Sequence, residues 1–481
     1  MAQSSRRKFL KAASVTAAAL AVSHRIPAWA AAGSSAPVRV WATFRDRRHE
    51  QGEPLAWKPA TAIAADAIAL DPGATRQQIL GFGAALTDAA CYVLSQMPEA
   101  PRQEIMHELF APGEMALNVC RTCIGSSDYS RSLYSFDESA EPDPELKKFS
   151  IDHDKAYILP MLRQARKENA ELFLFSSPWS PPGWMKANGS MLGGAMRGHS
   201  FEPYSRYFLK FLDAYKADGV GIDAVTVQNE VDAEQNGNMP ACLWAQEEEI
   251  EFVQNYLGPL LRQNGSSTKI WVLDHNYNLW GRAIGELSVP GAAEYIDGIA
   301  WHGYVGEPSA MTRVHEAFPQ KNAYWTEGGP DITAPDYQTD FTTWAETYNG
   351  ILRNWARSIT AWNVALDEKG KPNIGPFPCG GVVTVDNATK KITRSGQYWA
   401  FAHYSRHIRR RAKVFQTNGI GESAAQGSAD PISHTGFRNP DGSFVVVLTN
   451  RGAQKRVQLL LGAQALEVDL PAGSVHTLQW S

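Results

Sequence analysis

Short apolar runs alternate with longer segments of helical periodicity between residues 79 and 363, and each run ends in polar or aromatic residues. The eight runs are Ile79–Gly83, Leu117–Arg121, Leu172–Ser176, Ala224–Gln228, Ile270–Asp274, Gly298–His302, Ala323–Thr326 and Ile359–Asn363. Eight buried strands that alternate with helices predict an α/β fold, the (β/α)8 barrel. The chemistry of such a barrel lies at the carboxyl ends of its strands.

The segments between these runs have the period of an amphipathic helix. One face of the segment after the third run, at a spacing of 3.6 residues, carries Tyr204, Tyr207, Phe208, Phe211, Leu212 and Tyr215. We interpret this aromatic stripe as part of the core rather than as a cofactor site.

The pattern changes at about Ala412 to short alternating strands separated by turns. Asp441-Gly442 is typical of a hairpin turn, and the apolar segments Val457–Leu461 and Val475–Trp480 follow it. We predict an antiparallel β-sandwich over residues 406–481, joined by N-terminal strands within residues 33–75. The barrel is then expected over residues 76–405.

The first 32 residues differ in composition from the rest of the chain. Ser5–Lys11 contains paired arginines, Ala12–Val22 is apolar, and Pro27–Ala32 ends in small residues. This order is typical of a signal peptide, and the paired arginines indicate the twin-arginine route. We expect residues 1–32 to engage the twin-arginine export machinery and the mature protein to be periplasmic or secreted.

Composition argues against several classes of protein. The 481 residues include 15 Trp, 16 Tyr and 19 Phe, which is unlike disordered, collagenous or coiled-coil chains. A net charge of −4 argues against nucleic acid as a partner, because phosphate binding needs a concentrated basic surface. After the leader, no stretch of 18 residues is uninterrupted and apolar, so we expect no integral membrane segment.

Two glutamates close apolar runs at places where a buried strand needs no charge. Glu230 closes the fourth run and Glu327 closes the seventh. On one barrel the two acids would face each other across the mouth. A retaining glycosidase needs such a pair, one acid/base and one nucleophile, about 5–5.5 Å apart. Taken alone, either glutamate could equally be an ordinary, non-catalytic carboxylate at the end of a loop.

Aromatic residues near the strand ends favour a sugar as the ligand. The third run leads into a rigid aromatic loop, Ser176–Lys186, and Trp301, Tyr304, Trp325 and Trp362 lie at or beside other strand ends. Tryptophan faces stack on sugar rings while nearby amides and carboxylates bind hydroxyls. Any one of these residues alone is equally consistent with core packing.

Other chemistries lack their sequence signatures. The chain contains no G-x-x-x-x-G-K-[ST], no G-x-G-x-x-G after a strand and no H-E-x-x-H. His275 and His302, at the ends of the fifth and sixth runs, could be metal ligands in a barrel hydrolase, but no H-x-H follows the first run. We therefore expect neither a metal nor a cofactor.

A set of specific motifs extends from about Gly81 to the C-terminus. They are G-F-G-A-A-L-T-D-A, S-P-W-S-P-P-G-W-M-K-A-N-G-S-M, Q-N-E, H-G-Y, T-E-G-G, W-N-V-A-L and P-D-G-S-F-V-V-V-L-T-N-R. Together they resemble glycoside hydrolase family 30, a family of retaining β-glycosidases that includes acid β-glucosidase (glucosylceramidase). The resemblance implies a TIM barrel with a β-sandwich formed by the C-terminal strands and the N-terminal segment.

The resemblance also implies roles for individual residues. Glu230 would be the acid/base, Glu327 the nucleophile, and Arg121 would steady Glu327. The sugar-binding residues would be Asn229 at the 2-hydroxyl, Asp128 and Trp179 at the outer hydroxyls, and His302, Tyr304, Trp362 and Asn363 along the pocket. As the acid, Glu230 needs a raised pKa, which an apolar pocket and the Glu327 carboxylate would supply.

The resemblance leaves the substrate open. Gly375–Gly381 and the Gly-Gly pair after Glu327 depart from the family pattern near the aglycone side. Asp128 and Trp179 favour glucose, so we expect a β-glucosidase or glucosylceramidase-like enzyme acting on a β-linked glucoside, oligosaccharide or glycolipid. The alternatives are an endo-β-1,6-glucanase or β-xylosidase of the same family, and a carbohydrate-binding protein without turnover.

Overall fold

The computed structural model describes residues 37–421 and 431–481, so the leader predicted at residues 1–32 lies outside the described residues. The described chain begins with strands that belong to the sandwich rather than to the barrel. They are β1 (Arg39–Phe44), β2 (Arg47–Gln51), β3 (Lys58–Pro59) and β4 (Ile68–Gln78).

An eight-stranded parallel sheet follows, and each strand overlaps one of the predicted apolar runs. The strands are β5 (Gly81–Ala84), β6 (Val119–Cys123), β7 (Phe173–Ser177), β8 (Ala224–Thr226), β9 (Lys269–Asn276), β10 (Ile296–His302), β11 (Asn322–Glu327) and β12 (Ala356–Ala361). Neighbours in the sheet are neighbours in the chain, and β12 pairs with β5. A parallel bridge between Ala85 and Arg121 links β5 to β6. The predicted barrel is therefore confirmed.

Helices connect the barrel strands. They are α1 (Asp88–Ser95), α2 (Glu99–Phe110), α3 (Asp152–Lys155), α4 (Ile158–Glu168), α5 (Phe201–Ala217), α6 (Gln246–Glu251), α7 (Gly258–Gln263), α8 (Trp280–Leu287), α9 (Pro290–Ala293), α10 (Ser309–Ala317), α11 (Phe341–Arg353) and α12 (Gly396–Ser405). A π-helical turn, Phe252–Leu257, joins α6 to α7. The predicted aromatic stripe is buried on one face of α5.

Short 3-10 turns occupy Gly183–Met185, Gly198–Ser200, Gln235–Gly237 and Tyr277–Leu279. The start of α1 shows how local chemistry sets a boundary, since the Thr87 hydroxyl accepts a hydrogen bond from the Ala90 N–H at 3.1 Å. In the described part of the chain, every helix is too short or too polar to cross a bilayer.

The sandwich is built from both ends of the chain. Its C-terminal strands are β16 (Lys413–Gly419), β17 (Ile432–Arg438), β18 (Phe444–Asn450), β19 (Lys455–Leu461), β20 (Gln464–Leu470) and β21 (Ser474–Trp480). With β1–β4 they form one bent sheet in the order β2-β1-β21-β18-β17-β16-β4-β19-β20-β3. β4 pairs antiparallel with β16 and parallel with β19. Ile68, Phe415, Leu459 and Trp480 lie in the buried core of this sandwich.

A small sheet after the last barrel strand was not predicted. It consists of β13 (Ala365–Asp367), β14 (Val383–Val385) and β15 (Ile392–Arg394), each three residues long. β13 pairs with β14, so the chain between them, residues 368–382, forms a loop with its two ends held together. Part of this loop reaches the barrel mouth.

Candidate active site

A pocket of about 340 Å³ opens at the carboxyl ends of the barrel strands. Seven of the ten residues predicted from the sequence line it, namely Asp128, Trp179, Asn229, Glu230, Tyr304, Glu327 and Trp362. The other three, Arg121, His302 and Asn363, are fully buried behind its wall. The barrel thus brings the predicted residues together, although it places three of them away from the pocket surface.

Arg121 on β6 is the centre of a buried charge network. Its Nη1 donates to Glu327 Oε2 at 2.6 Å, and its Nη2 donates to Asn229 Oδ1 at 2.8 Å. The same Nη2 donates to Asp274 Oδ2 at 2.6 Å. The planar guanidinium, with its fixed donors, holds one carboxylate oxygen and one amide oxygen in a set orientation toward the pocket.

Asp274, at the end of β9, is a site residue that the sequence analysis did not single out. Its carboxylate accepts hydrogen bonds from the hydroxyls of Ser177 (2.8 Å), Thr226 (2.7 Å) and Thr326 (2.7 Å). Burial alone would raise the pKa of Asp274, but Arg121 and His302 hold it well below its usual range. The pattern that identified Glu230 and Glu327 could also have identified Asp274, because it too is a charged residue that closes an apolar run.

The two predicted catalytic acids contact the same imidazole. His302 Nδ1 lies 3.3 Å from Glu230 Oε1, and His302 Nε2 lies 3.8 Å from Glu327 Oε2. The Tyr304 hydroxyl donates to the other oxygen of Glu327, Oε1, at 3.0 Å. Glu230 sits in the left-handed region with a φ of 54°, and its N–H donates to the Asp274 carbonyl at 2.9 Å. Strained backbone of this kind concentrates at functional sites.

His302 carries a charge that acts to lower the pKa of both acids. Burial lowers its pKa, but the carboxylates of Glu327, Asp274 and Glu230 outweigh burial and raise it to about 9. The predicted raised pKa of Glu230 is wrong for the ligand-free site. Burial does raise the pKa of Glu230, yet the hydrogen bond and the charge of His302 lower it overall.

Glu327 shows the opposite balance. Burial raises its pKa, and the charge of Glu230 adds to this, so that together they exceed the lowering by His302 and Arg121. The two glutamates and His302 are close enough to titrate as one unit that shares protons. The sequence could not reveal this, because it does not show which nitrogen of His302 faces Glu230.

Two stacked tryptophans form one wall of the pocket. The rings of Trp179 and Trp362 lie 5.0 Å apart with an interplanar angle of 21°. The Arg121 guanidinium sits 4.6 Å from the Trp179 ring. Behind Trp362, the Asn363 Oδ1 accepts a hydrogen bond from the Thr87 hydroxyl at 2.7 Å. Asn363 therefore contacts the loop before α1, and its chain neighbour Trp362 lines the pocket.

Asp128 differs from Glu230 and Glu327 because no cation accompanies it within the described residues. Burial, followed by the charges of Glu327 and Glu230, raises its pKa well above the usual range. The ligand-free site thus favours a neutral carboxyl group at Asp128, which can donate as well as accept a hydrogen bond.

The loop between β13 and β14 forms the rim of the pocket through Phe377, Pro378 and Cys379. The Tyr129 hydroxyl donates to the Phe377 carbonyl at 2.8 Å and accepts from the Cys379 N–H at 2.7 Å. The Gly380 N–H donates to the Pro330 carbonyl at 2.7 Å. Phe377 keeps 41% of its surface exposed at this rim. In the sequence, this loop is recognisable only as a departure from the family pattern.

Comparison with known proteins agrees with the fold and the site. Residues 79–408 match the glycosyl hydrolase family 30 TIM-barrel domain, and residues 420–478 match the family 30 β-sandwich domain. An endo-1,6-β-D-glucanase of Neurospora crassa is 33% identical over 394 residues, covering 79% of this chain and 80% of that protein. The lysosomal acid glucosylceramidase of Mus musculus is 28% identical over 438 residues, covering 86% and 83%.

Solved structures give the same result. The endo-β1,6-glucanase BT3312 superimposes with a TM-score of 0.82 at 28% identity, covering 92% of this chain and 99% of that one. SrfJ from Salmonella typhimurium superimposes with a TM-score of 0.87 at 26% identity and the same coverage. With both domains matched and the relatives aligned over most of their length, the chain belongs to glycoside hydrolase family 30 and is a glycoside hydrolase.

Proposed function

We propose that this protein is a retaining endo-β-1,6-glucanase that cleaves β-1,6-linked glucose chains by double displacement. The proposed specificity for the β-1,6 linkage rests on the similarity to named endo-1,6-β-glucanases. The identity is 33% for the Neurospora crassa enzyme and 30% for one from Trichoderma harzianum. An endo-β-1,6-glucanase was an alternative drawn from the sequence, whereas the first expectation was a glucosylceramidase-like β-glucosidase.

The proposed first step forms a bond between Glu327 and the anomeric carbon while the bond to the leaving oxygen breaks. Arg121 and Tyr304 each hold one oxygen of Glu327, at 2.6 and 3.0 Å, which orients the carboxylate for attack. Glu230 gives a proton to the leaving oxygen. In the second step Glu230 takes a proton from water, and that water displaces Glu327 from the sugar.

The proton for the leaving group comes from the unit formed by Glu230 and His302. With a pKa of about 9, His302 is protonated at neutral pH, and its Nδ1 lies 3.3 Å from Glu230 Oε1. A shift of one proton along this contact converts the ligand-free site into one with a neutral Glu230. A sugar that displaces water from the pocket favours this shift, because desolvation penalises the charged carboxylate.

The remaining pocket residues give the sugar its place. Asn229, oriented by Arg121, is the proposed partner of the 2-hydroxyl, and Asp128 with Trp179 is the proposed partner of the outer hydroxyls. Tyr304 and Phe377 expose 47% and 41% of their surface at the mouth. Exposed aromatic faces of this kind suit the next glucose unit of a chain.

A second candidate is a β-glucosidase of the glucosylceramidase type. The similarity to the mouse lysosomal enzyme, at 28% identity over 86% of this chain, favours it. A β-xylosidase and a carbohydrate-binding protein without turnover are the remaining alternatives.

The experiment is a substrate panel in which products are separated by size. The panel contains pustulan (a β-1,6-glucan), a β-1,3-glucan, cello-oligosaccharides, glucosylceramide, and aryl β-glucoside and β-xyloside. We expect pustulan to be shortened rapidly to oligosaccharides of several lengths. Cleavage of glucosylceramide or the aryl glucoside with pustulan left intact would support the second candidate. Binding of a glycan without any product would identify a non-catalytic protein.

We also propose that the precursor is exported by the twin-arginine route, on the strength of the Arg6-Arg7 pair before an apolar stretch. Replacement of both arginines by lysine should keep the protein in the cytoplasmic fraction of a bacterial host. Unchanged export of that variant would contradict the route.

A further inference from the structure

Three side chains converge beside the proposed acid. His302 Nδ1 and His275 Nδ1 lie 3.3 Å and 3.6 Å from the same oxygen, Glu230 Oε1. One ligand atom from each of these residues lies within 4.8 Å of the others. Two ligands held about 2.1 Å from one tetrahedral zinc ion are about 3.4 Å apart. The two glutamate–histidine distances match that separation.

The far nitrogen of each imidazole is held by a carboxylate. His275 Nε2 lies 2.5 Å from Asp232 Oδ1, and His302 Nε2 lies 3.0 Å from Asp274 Oδ1. Metal-binding histidines usually donate their other N–H to a carboxylate, which fixes the ring and makes the ligating nitrogen more basic. In both rings Nδ1 therefore faces Glu230 while a carboxylate holds Nε2, as is usual for metal-binding histidines.

The Nδ1 atom of His275 has no role in the proposed hydrolysis. His275 is only 7% exposed, and nothing in residues 37–421 and 431–481 forms a hydrogen bond with this nitrogen. Buried polar atoms nearly always have a partner. An unpartnered nitrogen, aimed at a carboxylate oxygen beyond hydrogen-bond range, points to a ligand between the two.

The charge around the cluster is also suited to a cation. Besides Glu230 itself, the carboxylates of Asp274 and Glu327 lie 3.0 Å and 3.8 Å from His302 Nε2. The guanidinium of Arg121 is engaged with Asp274 and Glu327 rather than with Glu230. Together with Asp232 beside His275, these carboxylates would attract a divalent ion.

We propose that His275, His302 and Glu230 bind one divalent transition-metal ion of the zinc type, through two imidazole nitrogens and one carboxylate oxygen. Such a donor set favours Zn²⁺, Cu²⁺, Ni²⁺ and Co²⁺ over Mg²⁺ and Ca²⁺, which prefer oxygen ligands. Because the ion is bound to the Glu230 carboxylate, Glu230 can no longer donate a proton to the leaving group, and metal binding inhibits hydrolysis. The inhibition rests on the proposed function, whereas the binding does not.

The experiment measures binding and activity in parallel on the full chain after treatment with EDTA and dialysis. Zn²⁺ is titrated by calorimetry, and initial rates on pustulan are measured at the same concentrations. We expect one Zn²⁺ per chain, inhibition that follows occupancy, and full recovery on addition of EDTA. Mg²⁺ at equal concentration should neither bind nor inhibit.

Two variants test the ligand and its support. His275→Asn removes one ligand, and Asp232→Asn removes the carboxylate behind it; each should weaken Zn²⁺ binding by at least about 10-fold. The matched control is His49→Asn, because His49 and His407 form another close imidazole pair with Nε2 atoms 2.9 Å apart, away from the pocket. His49 has a φ of 51°, which asparagine tolerates. Zn²⁺ binding to this variant should equal that of the wild type.

The outcomes separate the two proposals. Absence of Zn²⁺ binding at 1:1, or binding lost in His49→Asn and kept in His275→Asn and Asp232→Asn, would overturn the metal site. Binding that depends on His275 in a protein that cleaves no substrate of the panel would support the metal site and remove the proposed function. Binding without inhibition of an active enzyme would overturn the assignment of Glu230 as a shared ligand.

Discussion

Two regions of this protein contain buried histidines with opposite protonation. His302, at the pocket, has a pKa raised to about 9. The second region lies between the sandwich and α12, where His407 and His476 have pKa values lowered to about 3 and about 4. His49 and His403 belong to the same interface, and their pKa values are also far below the usual range.

The neighbours, and not the burial, cause this difference. His302 is surrounded by the carboxylates of Asp274, Glu230 and Glu327. At the interface, His403 contacts the hydroxyls of Thr43 and Thr477. There the charges nearby are cationic, including Arg406 and Arg409, so they lower the pKa of His407 in the same direction as burial. His302 is therefore protonated at the site of the proposed chemistry. The histidines at the interface between the two domains are neutral.

The largest expected effect comes from removing the nucleophile from the charged region. Glu327→Gly should reduce kcat by roughly 10⁴-fold or more, because the covalent step loses its attacking atom. Azide fits the space left by the side chain and should restore part of the turnover of an activated β-glucoside, with the α-glycosyl azide as product.

The matched control is Asp331→Asn, a change to a pocket carboxylate four residues away, which should keep most of the activity. Full activity of Glu327→Gly without azide, or formation of the β-azide, would remove Glu327 from the proposed role.

The next effect tests whether carboxylates set the protonation of His302. Asp274→Asn should lower kcat/KM by about 10²- to 10⁴-fold, since the amide cannot stabilise a charged imidazole. The pKa of His302 should fall, so the alkaline limb of the pH–rate profile should move to lower pH. The profile of kcat/KM on pustulan is the measurement.

Asp297→Asn is the control, because Asp297 is a largely buried acid at the opposite end of the barrel, where its carboxylate bonds to Tyr324. It should leave the pH profile in place even if the protein becomes less stable. An unshifted pH–rate profile in Asp274→Asn would show that Asp274 is not what stabilises the charged form of His302.

The interface histidines should make the protein sensitive to acid. Their folded pKa values lie below the unfolded value of about 6.5, so below pH 6.5 the unfolded chain binds more protons. Stability should therefore fall as the pH drops from 6.5 toward about 4, by at most about 2 kcal/mol per histidine at pH 5.

Urea unfolding at pH 7.5 and pH 5.0 measures this loss. His476→Gln should show a smaller difference between the two pH values than the wild type. An equal difference would mean that His476, with a pKa near 4, is not one of the groups responsible.

The smallest effect concerns Asp128, whose carboxyl group lines the pocket. A hydroxyl-binding group is left unpaired when its hydroxyl is missing, so the wild type should prefer an aryl β-glucoside over the β-xyloside. Asp128→Ala should narrow the ratio of the two kcat/KM values by about 10-fold through loss on the glucoside. Equal loss on both substrates would argue against a role in sugar selection.

The sequence predicted those features that leave a local pattern. Glu230 and Glu327 could be found because each charge closes an apolar run, and Asp274 shows the same pattern in a run that was identified as a strand. The strands of the small sheet β13–β15 have three residues each, too few for an alternation to be visible.

Other features depend on contacts between distant parts of the chain. The rim loop is placed by a hydrogen bond from the Tyr129 hydroxyl to the Phe377 carbonyl and one from the Gly380 N–H to the Pro330 carbonyl, and no local pattern reveals such bonds. The lowered pKa of Glu230 depends on a ring nitrogen of His302, 72 residues further along the chain. The interface cluster likewise joins histidines from β2 and β21 to those in and after α12.

Double displacement at Glu230 and Glu327 determines the configuration of the first product. Proton NMR can follow a β-1,6-linked gluco-oligosaccharide from the moment of mixing, before mutarotation equilibrates the anomers. We expect the signal of the β-anomer to appear first and that of the α-anomer to grow only later. Initial release of the α-anomer would show inversion and would contradict double displacement.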